Sequence, residues 1–537
     1  MSANSPQDIS KRTFDVIFVG AGHNALVAAV HLAKAGRSVA LLERAAVPGG
    51  FVRTEELTLP GFLHDTYAAV HPILVGGPVW AELGDELAEF GLRYLQGEVS
   101  SGASLPDGRS MVVSTDPSEL AAELDRLGER EAWTGLLADL APTFDSIMPL
   151  FGMDLTSTEA ATALRELDDG RATNALPFKE LVTGSAWDLI TDRFHTEETH
   201  SAFLPWSLHA GVGPHDASGA LWSAVFVAML PAGMPAAEGG SGRLTTALTS
   251  LVERHGAVVV TDAEVDEILV AEGRGTGVRT QDGAVYTATE AVVATTSPPQ
   301  LYGRLLRGAA DIPVGVRSQA ARYKYRRGCF QINLALSARP HFHDRRLDRG
   351  GAINLGRGVA ELVRSVRQAD DGLLPEHPSI SWHEPTAIDP GRAPAGAAVA
   401  RLQVLDVPLH PVGDAVGTIT ADGDWNTAVA ERFADRVIAE ASQHLPGLEE
   451  LILARHLVSP KDLAAANPNA GPGDSNAGHM ALSQGLTQRP LAAHGGGYAT
   501  AVPGVYLIGA SAWPGPGVSG ASGRTVANLI LAADGRR

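Results

Sequence analysis

The chain has a single cysteine, Cys329, in 537 residues. That excludes an internal disulfide, an iron–sulfur cluster and a cysteine-rich zinc site, and it fits a reducing compartment. Positive charge is in short supply: 42 Lys and Arg stand against 61 Asp and Glu, for a net charge of −19. An acidic chain repels phosphate backbones, so no nucleic-acid partner is expected. No targeting segment is visible either. Residues 1–12 (MSANSPQDISKR) are polar, and the apolar run from Phe14 meets glycines at once, unlike a signal h-region; a cytoplasmic location is expected. One uncharged stretch, Ala217 to Ala237, contains GALWSAVFVAML. It is too short to span a bilayer, and Pro231 and Pro235 break any helical continuation. It reads as a buried helix, with peripheral membrane contact as the alternative.

What is present is ordinary globular material, 45% hydrophobic and 19% charged, long enough for two to four domains. Residues 14–43 read as strand, turn, helix, strand: FDVIFV, then NALVAAVHLAKAG ending on Gly36, then SVALLE. A helix is expected over 116–140, with Asp116 as N-cap and Pro117 in the first turn, and mainly helices are expected from there to about 235. SGRLTTALTSLVERHG reads as a helix ending at Gly256, followed by strands and an Asp282-Gly283 hairpin. CFQINLAL and AVARLQVL read as strands, and Asn426 to about His444 as a helix. VYLIGA and SGRTVANLILAA again read as strand then helix. The alternation predicts a discontinuous dinucleotide domain from 12–115, 236–312 and 462–537. A second domain would be built from 116–235 and 313–461, with a ligand in the cleft between them.

Gly20-Ala21-Gly22-His23-Asn24-Ala25 has GxGxx[G/A] spacing, directly after a strand and at the start of a helix. Gly20 permits the tight turn, and Gly22 lets the backbone approach a pyrophosphate at the helix N-terminus. Glu43 ends the second strand, where a carboxylate can accept both ribose hydroxyls. A second glycine pair, Gly49-Gly50, comes next, then Arg53-Thr54. No second GxGxxG succeeds a strand elsewhere, which argues against a separate NAD(P)H domain.

These motifs resemble the phytoene-desaturase-like FAD oxidoreductases, a superfamily that includes carotenoid desaturases and ketolases and is related to the amine oxidases. The segments that carry the resemblance are GAGHNALVAAVHLAKAGRSVALLERAAVPGG, GFLHDTYAAVHP (61–72), GGSGRLTTAL (239–248) and GVYLIGASAWPGPGVSGASGRTVA (504–527). They span both ends and the middle of the chain. The resemblance implies an α/β fold: a Rossmann-like FAD-binding domain of amine oxidase/phytoene desaturase type with an interleaved α+β substrate domain. It implies FAD as cofactor and an apolar small-molecule substrate, with oxygen or another electron acceptor.

Cofactor contacts are expected from Gly20, Gly22, His23, Asn24, Ala25, Glu43, Arg44, Gly49, Gly50, Arg53, Thr54, Val265, Gly509, Ala510, Gly517, Val518 and Ser519. Phe51 stands where amine oxidases usually carry Arg, so phosphate neutralisation falls to Arg44 or Arg53. His71 is the candidate base or substrate partner, with a structural hydrogen bond as the alternative. Trp513 either stacks on flavin or substrate or fills the loop core. His479 departs from the Gly or Ser of relatives and is a candidate specificity residue. No metal is expected: His341-Phe342-His343-Asp344 lies in an Arg-rich loop. The activity implied is hydride removal from a C–H bond by a dehydrogenase, oxidase or desaturase. The alternatives are an amine oxidase, disfavoured by Phe51 and the lack of an evident Lys near the flavin motifs, and a flavin-loaded binding protein without turnover.

Overall fold

The computed structural model describes residues 13–168 and 176–534; residues 12 and 535–537, the outer ends of the expected first domain, lie outside that range. Two seven-stranded sheets organise the molecule. In the first, Thr13–Val19 lies between Val39–Leu42 and Val285–Ala294, parallel to both, and Val258–Val260 and Val505–Leu507 add further parallel pairings. The hairpins Val265–Ala271, Arg274–Thr280 and Val285–Ala294 close one side antiparallel. Thr13–Val19 and Val39–Leu42 read as near-continuous apolar runs because helices cover both faces.

Helix His23–Lys34 comes after the first strand and is buried along most of its length. The C-terminal helix Ala521–Asp534 packs against it at close range. A Cβ on Gly523 would lie 1.9 Å from the Asn24 carbonyl oxygen, so only glycine lets the two helices approach this near. Helix Gly242–Arg254 covers the same face, and Gly256 beyond it lies in the left-handed region.

The second sheet runs Ile452–Val458, Arg327–Leu336, Ala398–Pro408, Ile380–His383, Ala352–Leu355, Val99–Ser104, Ser110–Ser114. All its pairings are antiparallel except that of Ala352–Leu355 with Val99–Ser104. Residues 99–114, expected with the dinucleotide domain, therefore belong to the second sheet. Strand Val99–Ser104 joins that sheet by pairing with the strand at 352–355, which local sequence cannot reveal, and Ser110–Ser114 pairs with it in turn.

The helical stretch begins as expected at Asp116, whose Oδ1 accepts from the Ser118 and Glu119 amides. It breaks at left-handed Gly128 into two helices, Pro117–Leu127 and Arg130–Ile147. The uncharged run forms helix Gly219–Met229, buried on one face against neighbouring helices. Among the described residues, no helix is long and apolar enough to cross a membrane.

Candidate active site

The turn after the first strand is built for close approach. Gly20 has φ +95°, and a Cβ there would fall 2.4 Å from Thr295 Oγ1. Gly49 has φ +126°, with a Cβ 2.7 Å from the Val52 carbonyl. Both positions need the left-handed region and have no room for a side chain. Gly22 differs: a Cβ meets nothing within 4 Å, because it would point into open space. Gly22 and Gly49 form a parallel bridge, so the two glycine motifs meet although 27 residues apart.

The open space is a cavity of about 1150 Å³. All the expected cofactor residues line it except Thr54. Helix His23–Lys34 points its N-terminus there with no side-chain cap and no acidic residue in its first turn, which leaves its amides free for an anion. Glu43 is buried; its Oε2 accepts from the Ala21 amide at 2.8 Å and its Oε1 from the Ala45 amide at 2.9 Å, which fixes the carboxylate on the wall. Arg44 and Arg53 both line the cavity, and the buried Arg53 Nε has no partner. Burial pushes His23 down to about 4, so its imidazole is neutral at pH 7; it contacts the Gly517 backbone and joins the first and last motifs. An open glycine cradle, a carboxylate at the second strand and a guanidinium with one N–H left free fit the pyrophosphate and ribose of FAD.

Thr54 is structural. Its hydroxyl donates to Asp65 Oδ1 and accepts from the Gly242 amide, tying the hairpin at 54–65 to the helix that starts at Gly242.

The three candidate reactive side chains lie off the cavity wall. His71 is fully buried, its Nδ1 2.7 Å from the Tyr94 hydroxyl, and burial holds it at about 4. Its neighbours Val70 and Pro72 line the cavity and His71 does not, and its buried Nε2 has no partner. Trp513 fills the loop core: its indole donates to the Leu150 carbonyl at 2.7 Å and packs on Phe151. His479 sits beside Arg326 and Asp216, its backbone carbonyl accepting from Gln484 and Arg489.

Other residues build the far half of the cavity. Trp222, Phe226 and Met229 of helix Gly219–Met229, with Trp206 and Phe151, make an apolar wall. Facing it, the second sheet presents Gln331, Ser381, His383, Arg401 and Gln403. These are cross-strand neighbours: Gln331 pairs with Gln403, Gln403 with Ser381, and Arg401 with His383. The missed signal was alternation. In CFQINLAL and AVARLQVL, polar residues recur every second position within otherwise apolar strands, placing Gln331, Arg401 and Gln403 on one face.

A pyrophosphate cradle that opens without interruption onto a second, side-chain-built chamber is the working arrangement of an FAD-dependent oxidoreductase. Comparison with known proteins gives the family. The chain belongs to the flavin-containing amine oxidoreductases, whose family model matches residues 26–531. It is 27% identical to mouse (Mus musculus) pyridine nucleotide-disulfide oxidoreductase domain-containing protein 2, over 97% of this chain and 94% of that one. It is 24% identical to a limonene dehydrogenase polypeptide of Castellaniella defragrans (96% and 94% covered), and 25% identical to the lycopene-forming phytoene desaturase of Pseudescherichia vulneris (96% and 98%). Among solved structures, an oxidoreductase from Methanosarcina mazei shares the fold with a TM-score of 0.61 at 15% identity, covering 96% of this chain and 99% of that one. Putrescine oxidase with bound putrescine does so at 0.57 and 15% identity, covering 98% and 100%. The protein is thus an enzyme of the phytoene desaturase/amine oxidase superfamily, with FAD as cofactor and a small-molecule substrate.

Proposed function

We propose that the enzyme removes hydride from a C–H bond of a largely apolar small molecule, as a dehydrogenase, oxidase or desaturase. The observation that carries this reading is the apolar wall of Trp206, Trp222, Phe226 and Met229 in the same cavity as the cofactor cradle. Burying apolar substrate surface there supplies roughly 25 cal/mol per Å². Relatives named for limonene and for phytoene support an apolar substrate.

FAD, when bound, supplies the hydride acceptor. The chain's residues hold its pyrophosphate and ribose, exclude water around the substrate and orient the reacting C–H bond. The substrate loses a hydride and a proton, and oxygen or another acceptor finally takes the electron pair. An amine oxidase reading is less favoured, because the cavity presents the guanidinium of Arg401, which repels a protonated amine.

The organic substrate, not NAD(P)H, is the reductant in this reading, since the described residues form one glycine-rich βαβ unit and its Glu43 is here assigned to FAD. Anaerobic stopped-flow mixing tests it. NADH and NADPH leave the oxidised flavin band intact for minutes, while an apolar substrate bleaches it within a turnover. Fast bleaching by NADPH alone contradicts the proposal.

A further inference from the structure

The sheet side of the cavity holds a cation without a counter-charge. Arg401 projects from strand Ala398–Pro408 onto the cavity wall. One of its Nη groups donates to the Tyr67 carbonyl, and its buried Nε has no partner. The carboxylate it feels, Asp65, is already ion-paired with buried Arg392 at 3.0 Å. Asp65 thus contacts one guanidinium and acts on the other only at longer range, and among the described residues no carboxylate forms an ion pair with Arg401. The remaining ionisable neighbours do not correct the balance. Burial holds His209 at about 4 and His383 at about 3, with Arg401 pushing each further down, so both imidazoles are neutral. Burial pushes the Cys329 thiol up, so it too is uncharged. Arg401 is half-buried on the cavity wall, and its partial desolvation disfavours the charged form.

Its surroundings suit a ligand rather than another protein group. Gln331, two positions along the neighbouring strand from Arg401's partner Asn333, keeps an unpartnered Oε1. Across the chamber, Phe226 and Met229 offer only apolar side chains. The cavity is thus amphipathic, with one compensating negative charge missing from its polar side.

We propose that the substrate is an amphipathic monocarboxylate. Its carboxylate pairs with Arg401, with Gln331 beside it, and its apolar body lies along helix Gly219–Met229. A guanidinium matches a planar carboxylate through two parallel N–H donors. The single uncompensated charge matches a monoanion better than a phosphate dianion. The inference rests on the proposed function, in that it takes this chamber as the substrate site of an FAD enzyme.

The experiment is calorimetric titration of the FAD-loaded holoenzyme with four probes of one chain length: decanoate, decanol, decylamine and decyl phosphate. FAD content is measured on every sample by acid release. Decanoate is expected to bind at least tenfold tighter than decanol or decylamine. Arg401→Gln should weaken decanoate at least tenfold while leaving decanol within twofold, and Arg401→Lys should restore part of the loss. Preference for decylamine or decyl phosphate, absence of decanoate binding, or an unchanged decanoate affinity in Arg401→Gln overturns the proposal. So does loss of FAD from both Arg401 variants, which would assign the residue to the cofactor. Wild-type protein that carries no FAD would sink the proposed function itself. Fully loaded protein indifferent to decanoate would sink this inference alone.

Discussion

The two halves of the cavity are made by different means. The cofactor half is mostly backbone: Gly20, Gly22 and Gly49 remove side chains so that main-chain amides and a helix N-terminus can face the ligand. The half proposed for the substrate is mostly side chains: Phe226 and Trp222 on one wall, Gln331, Arg401 and Gln403 on the other. A backbone site tolerates no added atom and serves one unvarying ligand. A side-chain site can be rewritten one residue at a time, so specificity belongs there.

The sharpest way to break the contrast is to fill the backbone half. Gly22→Leu puts a side chain where the pyrophosphate must pass, so purified protein should be colourless and release no FAD on acid precipitation. Because a Cβ at this position meets nothing within 4 Å, the fold should survive, as circular dichroism can check. The substrate half should respond by degrees. Phe226→Ala removes apolar wall worth about 1–3 kcal/mol of substrate binding, roughly 10–100-fold in kcat/KM, with FAD content unchanged.

Acid acts across the core, the cavity included, where burial holds His23 and His209 at about 4 and His383 at about 3. His64, His71, His444 and His494 lie off the cavity wall, and burial holds each at about 4 against 6.5 when unfolded. The unfolded chain therefore binds more protons between pH 6.5 and 4, so stability falls as pH drops through that window. At pH 5 the loss is roughly 1–2 kcal/mol per ring, read as a lower Tm than at pH 7. The smallest effect on turnover belongs to His71→Phe. It strands the Tyr94 hydroxyl and costs about 1–3 kcal/mol of stability, yet kcat should stay within twofold because His71 is not among the cavity-lining residues.

The cofactor half was legible in the sequence because its determinants are local. Gly20, Gly22 and Glu43 act through spacing along one strand–helix–strand unit, and the structure places them as that spacing requires. The sheet assignment of 99–114 was not legible, since it depends on pairing with residues about 250 positions away. The same holds for the polar floor, assembled from strands at 327–336, 380–383 and 398–408. His71 and Trp513 stood out as residue types capable of chemistry. Which way a ring turns depends on partners such as Tyr94 and Leu150, distant in the chain and invisible in a motif. His479 stood out by departing from its relatives, but its surroundings are Arg326 and Asp216, outside the cavity.

The division of labour between the halves is tested most directly by FAD stoichiometry in three proteins measured side by side: wild type, Gly22→Leu and Arg401→Gln. The account predicts one FAD per chain in the wild type, none in Gly22→Leu and one in Arg401→Gln. FAD retained by Gly22→Leu together with FAD lost from Arg401→Gln would contradict it.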